Sequence, residues 1–479
     1  MKHRQFVCAF LLHFYTMNWQ TLYSSRRTGD RDRKDANPDH VRTSFLRDYD
    51  RIIFASPFRR LQNKTQVFPL PGAVFVHNRL THSLEVASVG RSLGKAVGEE
   101  IASRNKGESE LFNDFYRHEL QSVIAAACLA HDIGNPPFGH SGEDAIRHYF
   151  TGLSSEARGS LYEGMTENQI KDFELFEGNS NAFRILTHSF NESEPGGYKL
   201  TYATLASIVK YPCISREGFD KRTGLIATKK SGFFDSEIAT FTGMAGRLGI
   251  PKKDGYEQVY ARHPFVYLTE AADDICYRVI DLEDAHRLHI ISYNTFMELF
   301  LPFFEKEEAY NSQDYITKKL ALIKDDNQKV QFVRAKWIGL MVQKLAAIFM
   351  EQETALLAGT LETDLLKCLS ADDQELISRI NEFSVKHIYN YRSVLEIEIA
   401  GFNVIGGLLQ EFVFAVMNPH LARSEKLLLL IPAQFRISQD DTTLYHNIQS
   451  VVDFISGMTD LYAIDLYRKI TGITIPELR

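Results

Sequence analysis

The stretch Ala130-His131-Asp132-Ile133-Gly134-Asn135-Pro136-Pro137-Phe138-Gly139-His140 decides how the centre of this chain folds. It follows an apolar segment, residues 122–130, whose composition predicts a buried helix. The glycine and the two prolines then end that helix abruptly. The adjacent histidine and aspartate are therefore expected at a helix terminus on the edge of a core, which is where metal sites are commonly built.

Two other segments carry the further ligands that a metal ion would need beside a His-Asp pair. Residues 78–86 begin an amphipathic helix that has His82 in its first turn. Residues 267–277 form an otherwise apolar helix that contains Asp273 and Asp274, and a buried carboxylate is costly unless it is paired or bound to a metal. Such nitrogen and oxygen ligands suit Mn²⁺, Co²⁺, Fe²⁺ or Zn²⁺. They also leave positions open for water and substrate, as in catalytic sites.

A series of motifs links this pattern to a known group of enzymes. The series comprises PFRRL (57–61), RLTHS (79–83), HDIGNPPFGHSGE (131–143), KYP (210–212), AADDICYRVID (271–281) and DFISGMTD (453–460). In this order the motifs resemble the HD-domain phosphohydrolases, and in particular the deoxynucleoside triphosphate triphosphohydrolases of the bacterial dGTPase type. The resemblance covers almost the whole chain, from about residue 17 to near the C-terminus.

The resemblance implies an all-α fold with an HD-domain helical core, additional C-terminal helices and at most a minor β-hairpin. Helix-period apolar patterns dominate the sequence, and only the segments 201–202 and 232–234 suggest a hairpin. Because the candidate ligands and later motifs are spread along the chain, we expect one unit rather than separate domains. It consists of a catalytic core over residues 17–300 and a helical region over residues 301–479 that is integral to it and to oligomer contacts.

The resemblance also implies the reaction and its metal site. A dNTP, preferentially dGTP, would be cleaved between the 5′ oxygen and the α-phosphorus. This releases the deoxynucleoside and intact tripolyphosphate, and so controls the dNTP pool. The predicted metal ligands are His82, His131, Asp132 and Asp273. In the family, a tyrosine and an acid follow the ligand aspartate. Tyr277 and Asp281 have the family spacing when counted from Asp273, so the resemblance assigns the ligand role to Asp273 rather than to Asp274. Mn²⁺ or Mg²⁺ is the expected ion, with Co²⁺, Fe²⁺ or Zn²⁺ as alternatives.

Proton transfer and phosphate binding are assigned to residues near these ligands. By resemblance, His140 is the proton donor or the base, and Glu143, three residues later, is its orienting partner. A dNTP carries about four negative charges, so its site needs cations despite the net charge of −7. Arg79 lies three residues before His82, and its planar guanidinium suits the α-phosphate. The lysines expected to bind the outer phosphates by resemblance are Lys210 and Lys230.

The sugar and the base are assigned to a further set of residues. Tyr277 and Asp281 follow Asp273 by four and eight residues, so one helix face carries a ligand, an aromatic ring and an acid. Tyr277 is expected to pack on the deoxyribose and to leave no room for a 2′-hydroxyl. Asp281 and Gln66 are expected to bond the 3′-hydroxyl. Glu398 aligns with a position that the family uses to recognise guanine.

Each of these residues also has a purely structural interpretation. A histidine at position 82 could lie on a helix surface, the His-Asp pair could cap a helix, and the two lysines could simply be solvated. Two other functions compete with the first. One is an HD phosphohydrolase for nucleoside monophosphates, cyclic nucleotides or alarmones. The other is a regulator that responds to nucleotides or single-stranded DNA through an inactive site, which would need a missing ligand; all four candidates are present.

Composition restricts the class and the partners of the protein. The chain has 61 acidic and 54 basic residues, and this acidic balance disfavours a dedicated nucleic-acid-binding protein. Its five cysteines form no CxxC motif, which favours a reducing, cytoplasmic compartment. No membrane partner is expected. The resemblance implies a homo-oligomer, with a hexamer as the expected form, and allosteric activation by a second dNTP or by single-stranded DNA.

The N-terminal region carries two further expectations. Residues 1–16 contain an apolar run after basic residues, but no small-residue cleavage site follows, which disfavours a signal peptide. Because Met17-Asn18-Trp19 resembles a family N-terminus, we expect translation to start at Met17 and residues 1–16 to be a non-native or mobile extension. The basic cluster within residues 26–34 could bind nucleic acid or a regulatory nucleotide, but its interleaved aspartates favour a solvated charged segment.

Overall fold

The computed structural model describes residues 17–30, 42–68, 76–189, 196–435 and 443–474. Throughout these residues the regular structure is helical and no β-strand is formed, which confirms the predicted all-α fold. The predicted extension, residues 1–16, lies outside the described residues. Met17 is buried, and its backbone N–H donates a hydrogen bond of 2.8 Å to the carbonyl of Leu357.

The α-helices are joined by loops and by short 3₁₀- or π-helical turns. In the described residues they are α1 (Ser44–Phe54), α2 (Ser56–Arg60), α3 (Arg79–Arg104), α4 (Glu110–Asp114), α5 (Leu120–Ala130), α6 (His140–Thr151), α7 (Ser155–Leu161), α8 (Glu167–Glu174), α9 (Gly178–Thr187), α10 (Tyr202–Ala206), α11 (Ile238–Leu248), α12 (Val266–Arg287), α13 (Tyr293–Phe300), α14 (Gln313–Leu320), α15 (Asp326–Glu351), α16 (Glu353–Ala358), α17 (Ala371–Ser384), α18 (Arg392–Met417), α19 (Ala422–Leu429), α20 (Leu444–Ser456) and α21 (Asp460–Ile470). Many begin where a Ser, Thr, Asp or Asn side chain accepts a hydrogen bond from the third helical N–H, as Asn78 does at α3.

Close packing of three helices builds the core that carries the candidate ligands. α3, α5 and α12 contact one another, and α15 also packs on α3. Gly90, Gly94 and Gly98 form a stripe on α3, and a methyl group at any of them would crowd or overlap an atom of α5 or of the turn before it. The stripe lets the two backbones approach closely, because glycine has no side chain to separate them. This approach sets His82, in the first turn of α3, beside the end of α5.

The buried helix predicted over residues 122–130 is confirmed, since α5 ends at Ala130 and is buried along almost its whole length. The chain then turns through the two prolines and enters α6 at His140. Phe138 and Gly139 have positive φ angles of 62° and 58° within this turn. That conformation is costly for phenylalanine, so the surrounding structure must hold the turn in place.

The C-terminal part of the chain holds this turn. Asp460, the first residue of α21, accepts hydrogen bonds from the backbone N–H groups of Phe138 (3.0 Å) and Thr65 (2.8 Å). The Lys64 ammonium donates to the carbonyl of Asn135 in the turn and to a carbonyl at the end of α20. Lys64 and Asp460 are both buried, so water does not replace these bonds. A motif more than 300 residues away in sequence thereby fixes the backbone next to the candidate ligands.

A second apolar cluster joins the C-terminal helices to the rest of the molecule. It is built mainly from α6, α18, α20 and α21. The Arg184 guanidinium of α9 forms a buried ion pair with Asp453 of α20, with N···O distances of 2.8–3.0 Å. These contacts connect the C-terminal helices to the rest of the described residues, and the organisation of the chain as one unit stays a prediction. The boundary near residue 300 stays a prediction.

One helix of the described residues, α18, is long and apolar enough to cross a membrane. It packs against α6, α19, α20 and α21, and 44% of its most apolar window is buried inside the molecule. Core helices of proteins that never enter a membrane have the same composition. The apolar character of α18 is therefore weak support for a membrane span.

The minor β-hairpin that the sequence allowed is not formed. Thr201 instead makes an isolated antiparallel bridge with Arg27, and Phe233 makes an isolated parallel bridge with Ile214. The Thr201 side chain caps α10. The chain therefore becomes helical directly after Thr201 instead of continuing as a strand.

The basic segment near the N-terminus differs from the prediction where it is described. Arg27 is buried, and its guanidinium lies 2.6 Å from the carboxylate of Asp48 in α1. A buried partner in a later helix cannot be read from local charge alternation, which is why a solvated segment was expected. The rest of the cluster beyond Asp30 lies outside the described residues.

We predict that Asp460→Ala lowers the free energy of unfolding by about 2–4 kcal/mol, because two buried N–H groups lose a charged acceptor. Urea denaturation followed by circular dichroism measures the change. Asp465→Ala is the matched control on the same helix, since Asp465 is exposed and, among the described residues, forms its ion pair with Lys469 at the surface. It should change stability by less than about 0.5 kcal/mol. Equal effects of the two substitutions would refute the bracing role of Asp460.

Candidate active site

The four predicted metal ligands meet where α3, α12 and the end of α5 converge. Asp273 Oδ1 lies 3.2 Å from His82 Nε2 and 3.4 Å from His131 Nε2. His131 Nε2 is also 3.6 Å from Asp132 Oδ1. Metal ions bind such atoms at about 2.0–2.2 Å, which sets neighbouring ligand atoms about 3–3.5 Å apart. The structure therefore contains a possible His/Asp metal site.

Hydrogen bonding at His131 provides an independent test of whether these residues fit a metal. Its Nδ1–H donates to the carbonyl of Cys128 at 2.7 Å, which places the proton on Nδ1 and leaves Nε2 with a free lone pair. Nε2 is buried and has no hydrogen-bond partner among the described residues. An imidazole fixed by a carbonyl in this way is the usual arrangement of a histidine that binds metal. The donor set thus fits a divalent ion.

Cations next to the two ligand carboxylates keep both ionised. Arg79 lies 2.6 Å from Asp132, and the Lys210 ammonium lies 2.8 Å from Asp273. Burial alone would raise the pKa of each carboxyl, but these cations and the neighbouring histidines outweigh it and hold both pKa values well below their usual range. Both carboxylates are therefore favoured in the ionised form that binds a metal.

The predicted ligands open into a cavity of about 570 Å³, a size suited to a nucleotide. All predicted site residues line this cavity except Glu143, which lies behind His140. The lining residues among them are Gln66, Arg79, His82, His131, Asp132, His140, Lys210, Lys230, Asp273, Tyr277, Asp281 and Glu398. The structure thus brings together residues that are up to 332 positions apart (66 to 398). Their individual roles remain predictions.

His140 and Glu143 form a hydrogen-bonded pair in the first turn of α6. The His140 Nδ1–H donates to Glu143 Oε2 at 2.8 Å, while the other carboxylate oxygen accepts from the backbone N–H of Gly178 at 2.8 Å. The imidazole is exposed to the cavity and the carboxylate is buried. The hydrogen bond to Glu143 raises the pKa of His140 above its ordinary value, although partial burial opposes that rise. The arrangement leaves His140 Nε2 available for proton transfer.

Two lysines of the cavity are held by carboxylates. Lys210 contacts Asp273, as described above, and the Lys230 ammonium lies 2.9 Å from Glu177. Glu177 is buried and itself lines the cavity. Sequence reasoning missed it, because a glutamate before a short helix carries no distinctive signal. Its contact keeps a charged lysine in place at the cavity wall.

The side chains predicted to contact the sugar follow one another on α12. Tyr277 packs its ring against the guanidinium of Arg278, 4.5 Å from the ring centre. Asp281 lies one turn further and accepts a hydrogen bond of 2.8 Å from the Tyr389 hydroxyl. Tyr389 also lines the cavity and was missed, because it precedes α18 and is far from every ligand motif. Glu398 lies beside α6, where its carbonyl accepts from the Ser141 hydroxyl at 2.6 Å.

Two polar neighbours of the ligands are engaged elsewhere. Asp274 pairs with Arg278 at 2.9 Å and is absent from the lining of the cavity. His77 lies between two carboxylates, 2.8 Å from Asp284 and 3.3 Å from Glu85. Burial alone would lower the pKa of His77, but the hydrogen bonds to these carboxylates raise it to about 10. His77 is therefore a cation that two carboxylates hold in place just before α3.

Comparison with known proteins agrees with this geometry. The HD domain family matches residues 79–209, and the phosphohydrolase-associated domain family matches residues 367–469. The deoxyguanosinetriphosphate triphosphohydrolase-like proteins of Synechocystis sp. and Pseudomonas aeruginosa are 38% and 37% identical to the chain, each over 96% of this chain and 100% of their own length.

A relative from Yersinia enterocolitica is named deoxyguanosinetriphosphate triphosphohydrolase. It is 30% identical, over 89% of this chain and 93% of its own length. The matches span both the helices that carry the candidate ligands and the C-terminal helices that hold the turn after α5. The chain belongs to the deoxyguanosinetriphosphate triphosphohydrolase family of HD-domain hydrolases.

Proposed function

We propose that the protein hydrolyses dNTPs, preferentially dGTP, to the deoxynucleoside and tripolyphosphate, and so controls the dNTP pool. One observation carries this proposal: a single cavity of about 570 Å³ joins the His/Asp cluster, the pair formed by His140 and Glu143, and three cationic side chains. The name of the Yersinia relative supports the choice of dGTP. Hydrolysis forms a bond from water oxygen to the α-phosphorus, breaks the bond to the 5′ oxygen and gives that oxygen a proton.

The proposed metal site consists of the two histidines and two aspartates that converge at the end of α5. The ligands of this site are His82, His131, Asp132 and Asp273. A bound Mn²⁺ or Mg²⁺ supplies Lewis-acid chemistry, lowering the pKa of bound water and neutralising phosphate charge. Co²⁺, Fe²⁺ and Zn²⁺ also suit this mixed donor set. The protein contributes preformed geometry, since His82 and Asp273 lie in helices and His131 and Asp132 lie in the turn that directly follows α5.

Proton transfer falls to His140 in this proposal. Its Nε2 faces the cavity while Nδ1 is held by Glu143, so the ring is oriented before substrate arrives. A protonated His140 can donate to the departing 5′ oxygen, and a neutral one can accept a proton from the attacking water. The hydrogen bond to Glu143 raises the pKa of His140 above its ordinary value, which increases the protonated fraction that a proton donor needs.

The triphosphate is proposed to lie against Arg79, Lys210 and Lys230. Arg79 already contacts a ligand carboxylate, so its guanidinium is positioned for the phosphate nearest the metal site, the α-phosphate. The lysines bring two further positive charges to the same cavity for the outer phosphates. Their positive charges reduce the repulsion that the carboxylates of the cavity would otherwise exert on a dNTP, whose charge is about −4.

Sugar and base recognition are proposed for the remaining side chains of the cavity. Tyr277 would pack on the deoxyribose and exclude a 2′-hydroxyl, while Asp281 and Gln66 would bond the 3′-hydroxyl. Glu398 would accept hydrogen bonds from guanine. All four line the cavity that contains the ligand cluster, and the first two are on the helix that carries Asp273.

Assembly and regulation are also part of the proposal. We infer a homo-oligomer, with a hexamer as its expected form, in the cytoplasm, with a second dNTP or single-stranded DNA as an allosteric activator. Large apolar side chains are exposed on α18, namely Leu395, Ile399 and Phe414, and such exposure is typical of a surface that another subunit covers. The four cysteines in the described part of the chain are free thiols, as a reducing compartment allows.

We predict that metal content separates two neighbouring aspartates. Asp273→Asn and His131→Ala should each remove bound Mn²⁺ and abolish turnover, because a ligand atom is lost. Asp274→Asn is the matched control, since Asp274 pairs with Arg278 and should leave metal content unchanged. Plasma mass spectrometry of dialysed protein measures the ion. Retention of metal by Asp273→Asn, or an equal loss of metal in Asp274→Asn, would refute the assignment.

We predict that Glu143→Gln shifts the pH profile of kcat/KM. The Glu143 carboxylate stabilises the His140 imidazolium and raises its pKa, so the neutral amide lowers it. The limb that His140 controls should therefore move to lower pH, whether His140 donates or accepts the proton. Asp144→Asn, an exposed neighbour, is the control and should not move it. A profile unaffected by Glu143→Gln would contradict the proposed action of Glu143 on His140.

His140→Ala should lower kcat about 10²–10⁴-fold at unchanged metal content.

Product analysis tests the proposed function as a whole. The purified protein is incubated with Mn²⁺ or Mg²⁺ and each dNTP, alone and in pairs, and the products are separated by chromatography. We expect deoxyguanosine and tripolyphosphate as the main products. Activity that appears only in pairs would reveal an activating nucleotide. Release of orthophosphate or pyrophosphate, or no reaction in any mixture, would contradict the proposal.

A further inference from the structure

Among the residues that the C-terminal part of the chain contributes to the cavity, Tyr389 contacts a predicted sugar-binding residue through its hydroxyl. Tyr389 ends the π-helical turn Val385–Tyr389, which lies between α17 and α18. Its hydroxyl donates a 2.8 Å hydrogen bond to Oδ2 of Asp281, which is 108 residues earlier in the chain. Both residues line the same cavity as the candidate ligands.

The environment of Asp281 makes this hydrogen bond important. The residue is only 5% exposed, and in the part of the chain that the structure describes no second donor contacts its carboxylate. Burial raises the pKa of Asp281 to about 7, and the Tyr389 hydrogen bond limits that rise. A buried carboxylate with one donor keeps its other oxygen free for a ligand hydroxyl, and the single donor decides which way that oxygen points.

We propose that Tyr389 is a positioning residue that holds Asp281 ready for the 3′-hydroxyl of the substrate sugar. This inference rests on the proposed function, in which a dNTP occupies the cavity. Tyr389 fixes Oδ2, and Oδ1 then accepts the hydrogen bond from the 3′-hydroxyl. The phosphohydrolase-associated region thereby takes part in choosing a nucleotide that has this hydroxyl over one that lacks it.

A purely structural role for Tyr389 makes a different prediction. If its ring only packs beside the cavity, removal of the hydroxyl should affect nucleotides with and without a 3′-hydroxyl equally. If it acts through Asp281, the loss should be confined to nucleotides that have the hydroxyl. The comparison of dGTP with 2′,3′-dideoxyGTP therefore separates the two roles, since the analogue lacks only the group in question.

The experiment compares kcat/KM for dGTP and 2′,3′-dideoxyGTP in the full-length protein and in Tyr389→Phe. The variant keeps the ring and loses the hydroxyl. We expect kcat/KM for dGTP to fall about tenfold, as for the loss of a hydrogen bond to a charged group. The value for 2′,3′-dideoxyGTP should change less than about twofold. Tyr391→Phe is the matched control, because Tyr391 is on the same segment and 43% exposed; it should change neither value.

A double-mutant cycle locates the effect. In an Asp281→Ala background, Tyr389→Phe should cause no further loss with dGTP, because the group through which it acts is already absent. Equal losses with both nucleotides, no loss with dGTP, or a loss that persists in that background would overturn the inference. A wild-type protein that releases no tripolyphosphate from any dNTP would instead refute the proposed function, so the two failures are distinguishable.

Discussion

The close approach of α3 to α5 is the constraint on which the candidate site depends. Three glycines at intervals of four residues remove the side chains that would separate these helices. His82, in the first turn of α3, therefore lies close enough to His131 and Asp132, which follow α5, for the three side chains to hold one metal ion. A bulky residue in the stripe would force the two helices apart, because its side chain would overlap atoms of α5 or of the turn before it. The geometry of the site is thus set by backbone packing several turns away from it.

Residues that are remote in sequence compensate the charge of the ligand carboxylates and hold the strained turn at Phe138 in place. Two carboxylates and two imidazoles are brought together in a largely buried position, and Arg79 and Lys210 offset the charge of the carboxylates. The strained turn at Phe138 is held by Asp460 near the end of the chain. Through these contacts the C-terminal helices hold the turn between α5 and α6 in its conformation.

The helical fold and the residues of the cavity could be predicted because their signals are local. Apolar residues recur at the helical period, and the His, Asp and Glu residues have a fixed spacing within short motifs. It could not predict contacts between distant segments. The pairing of Tyr389 with Asp281 and of Lys230 with Glu177 has no local pattern. The glycine stripe of α3 was visible as a four-residue spacing, but its purpose depends on which helix lies opposite. Burial of Arg27 likewise follows from a partner in another element.

The position of water attack tests the central claim most directly. Hydrolysis of dGTP in ¹⁸O-labelled water, followed by mass spectrometry of both products, identifies the atom that receives the new oxygen. If the His/Asp cluster directs water to the α-phosphorus beside Arg79, the label appears in tripolyphosphate and deoxyguanosine stays unlabelled. Label in deoxyguanosine, or in orthophosphate or pyrophosphate, would contradict the account, because attack would then occur at a different atom.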